Sequence, residues 1–260
     1  MFLGEGMLKY KLASVCCAAL LVAGCQTTEA VRFEPGVGQN TVMKDGRQAL
    51  VSRKAQSIVM IGPAGRGIQA GSRPIFVLSA SNIGKQPLDL TIANIQATQI
   101  NASGSHSELM VIPYETLVSE ENARQVMGAL LVGLAAGANS YSASRAGYGS
   151  AQTTVSTPRG TAQINTTYYS PTAAAIAQSN ANMQNEAMIA NHIEAGRANL
   201  AALEKGILKD NTIMPGQWVG GQLHISPPIG DPGQVKEYQI TVQIGKDVHK
   251  LSIRQGGPTQ

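Results

Sequence analysis

The sequence predicts a mainly β protein, an antiparallel β-sandwich interrupted by one long α-helical hairpin insertion. Three observations predict it. Short runs of β-branched and apolar residues, several alternating by twos, recur on both sides of the chain's middle with turn-rich separators between them. From Ser119 to Lys209 that grammar stops and helical spacing takes over. All three cysteines, Cys16, Cys17 and Cys25, lie near the amino terminus, so a packed core rather than disulfides must hold the body.

The strands are read in order. QSIVMI (56–61), RPIFVLSASN (73–82), LDLTIANIQATQI (88–100) and ELMVIPY (108–114) form the first half, separated by GPAGRG, NIGKQP and NASGSHS. QWVGGQLHI (217–225), VKEYQITVQI (235–244) and the run 248–254 form the second, with SPPIGDPG and IGKD as turns. The sandwich is therefore assigned to 51–118 and 210–255, and the polar stretch 25–50 to a tether.

The insertion, 119–209, opens with Ser119-Glu120-Glu121-Asn122, read as an N-cap followed by acids that complement the helix dipole. The first helix runs to about Ser142 and contains GALLVGLAAGAN (128–139). At 100° per residue, Met127, Leu130, Leu131, Leu134 and Ala138 form a bulky face, whereas Ala129, Gly133, Ala136 and Ser140, with Gly137 at their edge, form a small one. A small face admits another backbone closely. The second helix starts near Pro171 and carries the stripe Ile193, Gly196, Leu200, Leu203 and Ile207. The expected arrangement packs the Leu and Ile faces together and on the sandwich; pairing between copies through Ala129, Gly133, Ala136 and Gly137 is the second option and bilayer insertion the third. The apolar run 126–138 would reach only about 20 Å against a hydrocarbon core about 30 Å thick. Between the helices, 143–170 is a Ser/Thr/Gly-rich linker without strand signal. Tyr148, Tyr168 and Tyr169, with Tyr141 just before it, are placed near the insertion tip as candidate partner-binding residues.

MLKYKLASVCCAALLVAGC (7–25) has a basic n-region at Lys9 and Lys11, a short apolar core and small residues at its end, the pattern of a secretory signal. Met7 is the expected start, since Glu5 suits an n-region poorly. Leu21-Val22-Ala23-Gly24-Cys25 resembles a bacterial lipobox. The resemblance implies cleavage between Gly24 and Cys25, acylation of Cys25 with palmitate-class chains, and, with Gln26 following, delivery to the outer membrane. NTIMPGQWVGGQLHI and SNIGKQPLDLTIANI resemble strand-turn-strand pieces of immunoglobulin-like bacterial surface domains, so the sandwich is expected to be immunoglobulin-like. The run 128–139 is similar to half of the glycine-zipper hairpin of small outer-membrane lipoproteins, which carry two such segments where this chain carries one.

Enzyme signatures are missing. His106, His192, His224 and His249 stand without a second metal ligand at motif spacing, Gly147-Tyr148-Gly149-Ser150 lacks the glycine that completes a nucleophile elbow, and Gly62 to Gly67 lacks the lysine of a P-loop. The formal charge of +4, which becomes +3 when residues 1–24 remove Lys9, Lys11 and Glu5, does not point to nucleic acid. Lys44, Arg47, Arg53, Lys54, Arg66 and Arg73 could meet an anionic surface if they share a face. The expectation is a non-enzymatic, lipid-anchored envelope protein without cofactor or metal. It faces the periplasm or the cell surface and binds a protein partner or its own copies through the insertion. A structural spacer and an envelope hydrolase are the alternatives.

Overall fold

The computed structural model describes residues 28–256 apart from 45, 102, 103, 159 and 232. The described residues divide into two compact units, one built from the residues up to Ile112 and from Leu208 onward, the other from Pro113–Ile207.

The first unit is a sandwich of antiparallel sheets. Its strands are β1 (Thr28–Glu29), β2 (Val31–Glu34), β3 (Gln39–Lys44), β4 (Arg47–Arg53), β5 (Ser57–Pro63), β6 (Ile68–Gln69), β7 (Ile75–Asn82), β8 (Leu88–Leu90), β9 (Ile95–Ile100), β10 (His106–Leu109) and β11 (Val111–Ile112). In the second unit follow α1 (Tyr114–Arg145), β12 (Tyr148–Thr157), β13 (Gly160–Tyr169) and α2 (Pro171–Gly206). The first unit resumes with β14 (Asn211–Ile213), β15 (Trp218–Ile225), β16 (Lys236–Ile244) and β17 (Asp247–Gln255). One sheet has the order β10-β9-β16-β17-β2 and the other β11-β15-β7-β5-β4-β3; β1-β6 and β8-β14 are short accessory pairs.

Period-two patterning decides which faces meet. Along β16, Tyr238, Ile240, Val242 and Ile244 are buried while the intervening residues reach solvent; β5 and β7 supply Val59, Ile61, Phe76 and Leu78 from the opposite sheet. Phe76 touches Phe33 and Tyr238 edge-on, with centroids 6.4 and 6.3 Å away. The apolar centre ends in polar clusters at both limits of the inner face. At one limit the buried Lys236 lies 3.8 Å from the Glu29 carboxylate, which also accepts Gln255 Nε2 at 2.6 Å and Gly233 N at 2.7 Å. At the other sit Asp247 and His249.

The chain leaves and re-enters this unit at one place. Ile112 pairs with His224, and the Leu208 amide donates to Gln222 O at 3.0 Å, two residues away on the same strand. The sandwich therefore closes across the insertion, and strands from both sides of it share each sheet.

Two expectations are corrected here. The stretch 25–50 is not a long tether: β1 begins at Thr28, Glu29 is buried, and β2 to β4 occupy 31–53. Polar residues such as Arg32 and Gln39 sit on outer faces and edges, which hides the strand pattern. The 143–170 linker is also ordered differently. It forms the β12–β13 hairpin, in register from Tyr148↔Tyr169 to Thr157↔Gly160. Ser and Thr replace the apolar residues that would have marked these strands, and both faces are exposed.

The helices also differ from expectation. α1 starts at Tyr114 with Pro113 as its N-cap, five residues before Ser119, so Ser119 to Asn122 lie inside the helix. α2 starts at Pro171 as expected, with Ser170 Oγ accepting the Ala173 amide at 3.3 Å. By length and composition α1 is long and apolar enough to cross a membrane, with a mean hydropathy of 1.3 over its best window, of which only 6% is buried.

Candidate interaction surface

The helical hairpin is joined along a polar seam. Glu121 Oε1 accepts Gln125 Nε2 and Asn199 Nδ2, each at 3.1 Å, and Gln125 Nε2 reaches the Gly196 carbonyl, also at 3.1 Å. His192 Nε2 donates to the Gln125 carbonyl at 3.0 Å. One turn pair further, Asn139 Nδ2 donates to Asn185 Oδ1 at 3.1 Å, and Asn185 Nδ2 donates to the Ala136 carbonyl and Ser140 Oγ, each at 3.2 Å. Burial raises the Glu121 carboxyl pKa, but hydrogen bonds from Arg124, Gln125 and Asn199 outweigh it and hold the group below its ordinary value.

Glycine is needed in this seam at two positions. A Cβ on Gly128 would collide with the His192 ring, and one on Gly196 with the Gln125 amide. These are not the glycines expected to pack. A Cβ on Gly133 or Gly137 would meet open space, and Ala129, Gly133 and Gly137 are exposed. Ala136 does lie in the seam, as do the half-buried Leu200 and Leu203, whereas Ile193 faces outward at 48% exposure.

The expected packing of the bulky faces against each other is therefore overturned. The seam positions 121, 125, 128, 132, 136 and 139 repeat at spacings of three and four, so polar and small side chains satisfy the helix contact. Met127, Leu130, Leu131 and Leu134 project away from it, 59–73% exposed. Burying a Leu-sized side chain contributes about 1.5–3 kcal/mol, so covering four would contribute on the order of 5–10 kcal/mol before the cost of association.

The tyrosines are not at the tip. Tyr148 and Tyr169 are cross-strand neighbours at the base of the β-hairpin, with ring centroids 4.9 Å apart, and Tyr168 folds over Gly149 on the other face. Tyr141 lies seven residues before Tyr148, on α1, under the Arg145 guanidinium at 5.6 Å. All four are more than half exposed. The pairing sorts the hairpin into two faces: Ala151, Val155, Ala162, Ile164 and Tyr168 with Thr153 and Thr166 on one, Ser150, Gln152, Thr154, Gln163, Asn165 and Thr167 with Tyr148 and Tyr169 on the other. On the polar face Gln152 Nε2 donates to Gln163 Oε1 at 3.0 Å. Sequence reading missed this alternation; cross-strand pairing exposes it.

Cys25 and Gly24 lie outside the described residues. Of the basic residues, Arg47 and Arg66 line one shallow recess with Gly46 and Gly65, while Arg53 ends β4 at the opposite limit from Arg47 and Lys54 follows it, so these four do not share one patch.

A Ser/His/Asp cluster lies within the sandwich. Ser57 Oγ donates to Asp247 Oδ2 at 2.7 Å and lies 2.8 Å from His249 Nε2, while His249 Nδ1 lies 3.0 Å from Ser52 Oγ. Because the Ser57 proton goes to the carboxylate, Nε2–H donates to Ser57 and Nδ1 accepts from Ser52. The carboxylate thus holds a serine rather than orienting the imidazole, and Ser57 and His249 are fully buried. Burial pushes the His249 pKa down to about 4, so the ring is neutral. Burial acts to raise the Asp247 pKa, but hydrogen bonds from Ser57 and the Gln56 and Ser57 backbone bring it below its ordinary value. Among the described residues no group of three or more His, Cys, Asp or Glu side chains could hold a metal ion. No family model, curated protein or solved structure matches the chain.

Proposed function

We propose that this chain is a lipid-anchored, non-enzymatic protein of the bacterial outer membrane, in which an immunoglobulin-like sandwich carries a helical arm through which copies of the chain assemble. The observation that carries this reading is the bare Met127, Leu130, Leu131 and Leu134 stripe on a helix whose own partner is satisfied elsewhere. A stripe left open by its own fold needs a second surface, and the exposed Gly133 and Gly137 beside it let a second helix approach.

The lipobox resemblance at Leu21 to Cys25 supports the anchor. Only Gln26 and Thr27 separate Cys25 from β1, so an acyl chain on Cys25 would hold the sandwich within about 10 Å of the headgroups. The non-enzymatic reading is supported by the wiring of the Ser57, His249 and Asp247 cluster, in which the buried Ser57 hydroxyl donates to the carboxylate and not to the imidazole.

Excising residues 113–207 and joining Ile112 to Leu208 by a short glycine linker tests the reading. The shortened, lipidated chain should keep a cooperative thermal transition and give no intermolecular crosslinks, while the intact chain crosslinks to itself. Crosslinked multimers of the shortened chain would refute assembly through the arm.

A further inference from the structure

We propose that the β12–β13 hairpins of several copies pair edge to edge and close into a transmembrane β-barrel, the Ala151 and Ile164 face against lipid and the Gln152 and Gln163 face toward the lumen. The proposal rests on assembly of copies through the arm and names what that assembly builds.

Length is the first argument. Each strand has ten residues. Ten residues extend about 34 Å, and at a tilt of about 40° they cover about 26 Å, against an apolar band about 25 Å tall in outer-membrane barrels. Charge is the second. Between Arg145 and Glu186 the sequence carries one charged residue, Arg159. A water-facing hairpin normally carries charge on its edges. The third is the dyad alternation: one face carries Ala151, Val155, Ala162 and Ile164 with Thr153 and Thr166 between them, the other is polar, and of the tyrosines at the base Tyr168 stands on the lipid side, where an aromatic girdle would stand, while Tyr148 and Tyr169 stand on the lumen side.

The edges select the partner. Among the described residues the sheet contains β12 and β13 alone, and both outer edges lack a neighbouring strand there. A two-stranded hairpin is marginal in water, and an open sheet edge is not tolerated in hydrocarbon. Only further strands satisfy both demands, and another copy presents two strands of identical length and polarity. Every copy adds two strands, which gives the even strand number of a closed barrel.

The helices do not cross in its place. The seam sets the apolar part of α1 beside α2 from Asn185 to His192, and α2 carries Glu186, Glu194 and Arg197 along its length. Each such charge at the bilayer centre costs about 2.5–3.5 kcal/mol even on the most lenient scale.

The test places single cysteines at Ala151, Gln152, Gln163 and Ile164 in the full lipidated chain. The protein is reconstituted in phosphatidylethanolamine–phosphatidylglycerol vesicles and labelled with a membrane-impermeant maleimide; assembly is followed by crosslinking in the same vesicles. Cysteines at 152 and 163 should label roughly tenfold faster or more than those at 151 and 164, the contrast vanishing in urea. Planar bilayers holding the intact chain should show stepwise conductance with little ion preference, and Gln152→Glu should make it cation-selective. Uniform labelling in vesicles where copies crosslink would overturn the barrel and leave assembly standing. Uniform labelling without self-crosslinks would overturn both.

Discussion

Tyr148 and Tyr169 face each other across the first rung of the β-hairpin, their ring centroids 4.9 Å apart, at the junction where α1 and α2 give way to strands. Immediately behind them, a Cβ on Gly147 would strike the Tyr169 ring. The pair therefore clamps the base of a hairpin that has no hydrophobic core of its own.

Replacing both rings, Tyr148→Ser with Tyr169→Ser, should remove about 0.5–1.5 kcal/mol of pairing energy beyond lost area. In the unassembled chain, limited proteolysis should then cut within 148–169 several-fold faster, with cleavage inside α1 and α2 unchanged. Equal rates would show that the clamp contributes nothing.

The two classes of arm glycine should respond with opposite signs. Gly128→Leu and Gly196→Leu force a side chain into His192 or Gln125 and should lower the stability of the helical hairpin by about 2 kcal/mol or more. Gly133→Ala and Gly137→Ala meet open space and should raise it by about 0.5–1 kcal/mol through helix propensity. Thermal melts followed by circular dichroism separate the four variants.

Acid should destabilise the sandwich through His249. Its folded pKa of about 4 lies below the unfolded value of 6.5, so the unfolded chain binds the proton more readily. The contribution is complete above pH 6.5 and is lost as pH falls from there toward 4, on the order of 3 kcal/mol. Asp247, also lowered, adds a further loss in the same direction below that window. Urea midpoints measured between pH 7 and 4 should fall, and His249→Gln should flatten the slope.

Cys25→Ala should abolish acylation, read as an electrophoretic shift and as loss of the acyl mass, and should leave membrane retention to the arm alone. Unchanged mobility and mass in that variant would remove the lipid anchor from the account.

Most sandwich strands were legible because their inner faces are apolar and period-two: 56–61, 73–82, 217–225 and 235–244 map onto β5, β7, β15 and β16 within a few residues. The amino-terminal strands were not, since one inner face ends in Glu29 and the outer faces are polar; partner strands far away in sequence, β17 for β2, supply what the local pattern lacks. The β-hairpin was hidden by low complexity, as Ser and Thr alternate with Ala and Ile too weakly to signal a strand until Ala162 is seen opposite Val155. In the arm, the helical positions were readable but the side that packs was not. Hydrophobicity pointed to Leu130 and Leu134, while hydrogen bonds from Gln125, Asn185 and His192 decided the seam.

The central claim is that the exposed stripe is an interface between copies, and Leu130→Glu with Leu134→Glu tests it most directly, because both side chains are already 59% and 73% exposed and their change should leave the fold intact. The particle mass of the full lipidated chain in nanodiscs should be that of a multimer for the wild type and of a single chain for the double variant. The same mass for both would contradict the account.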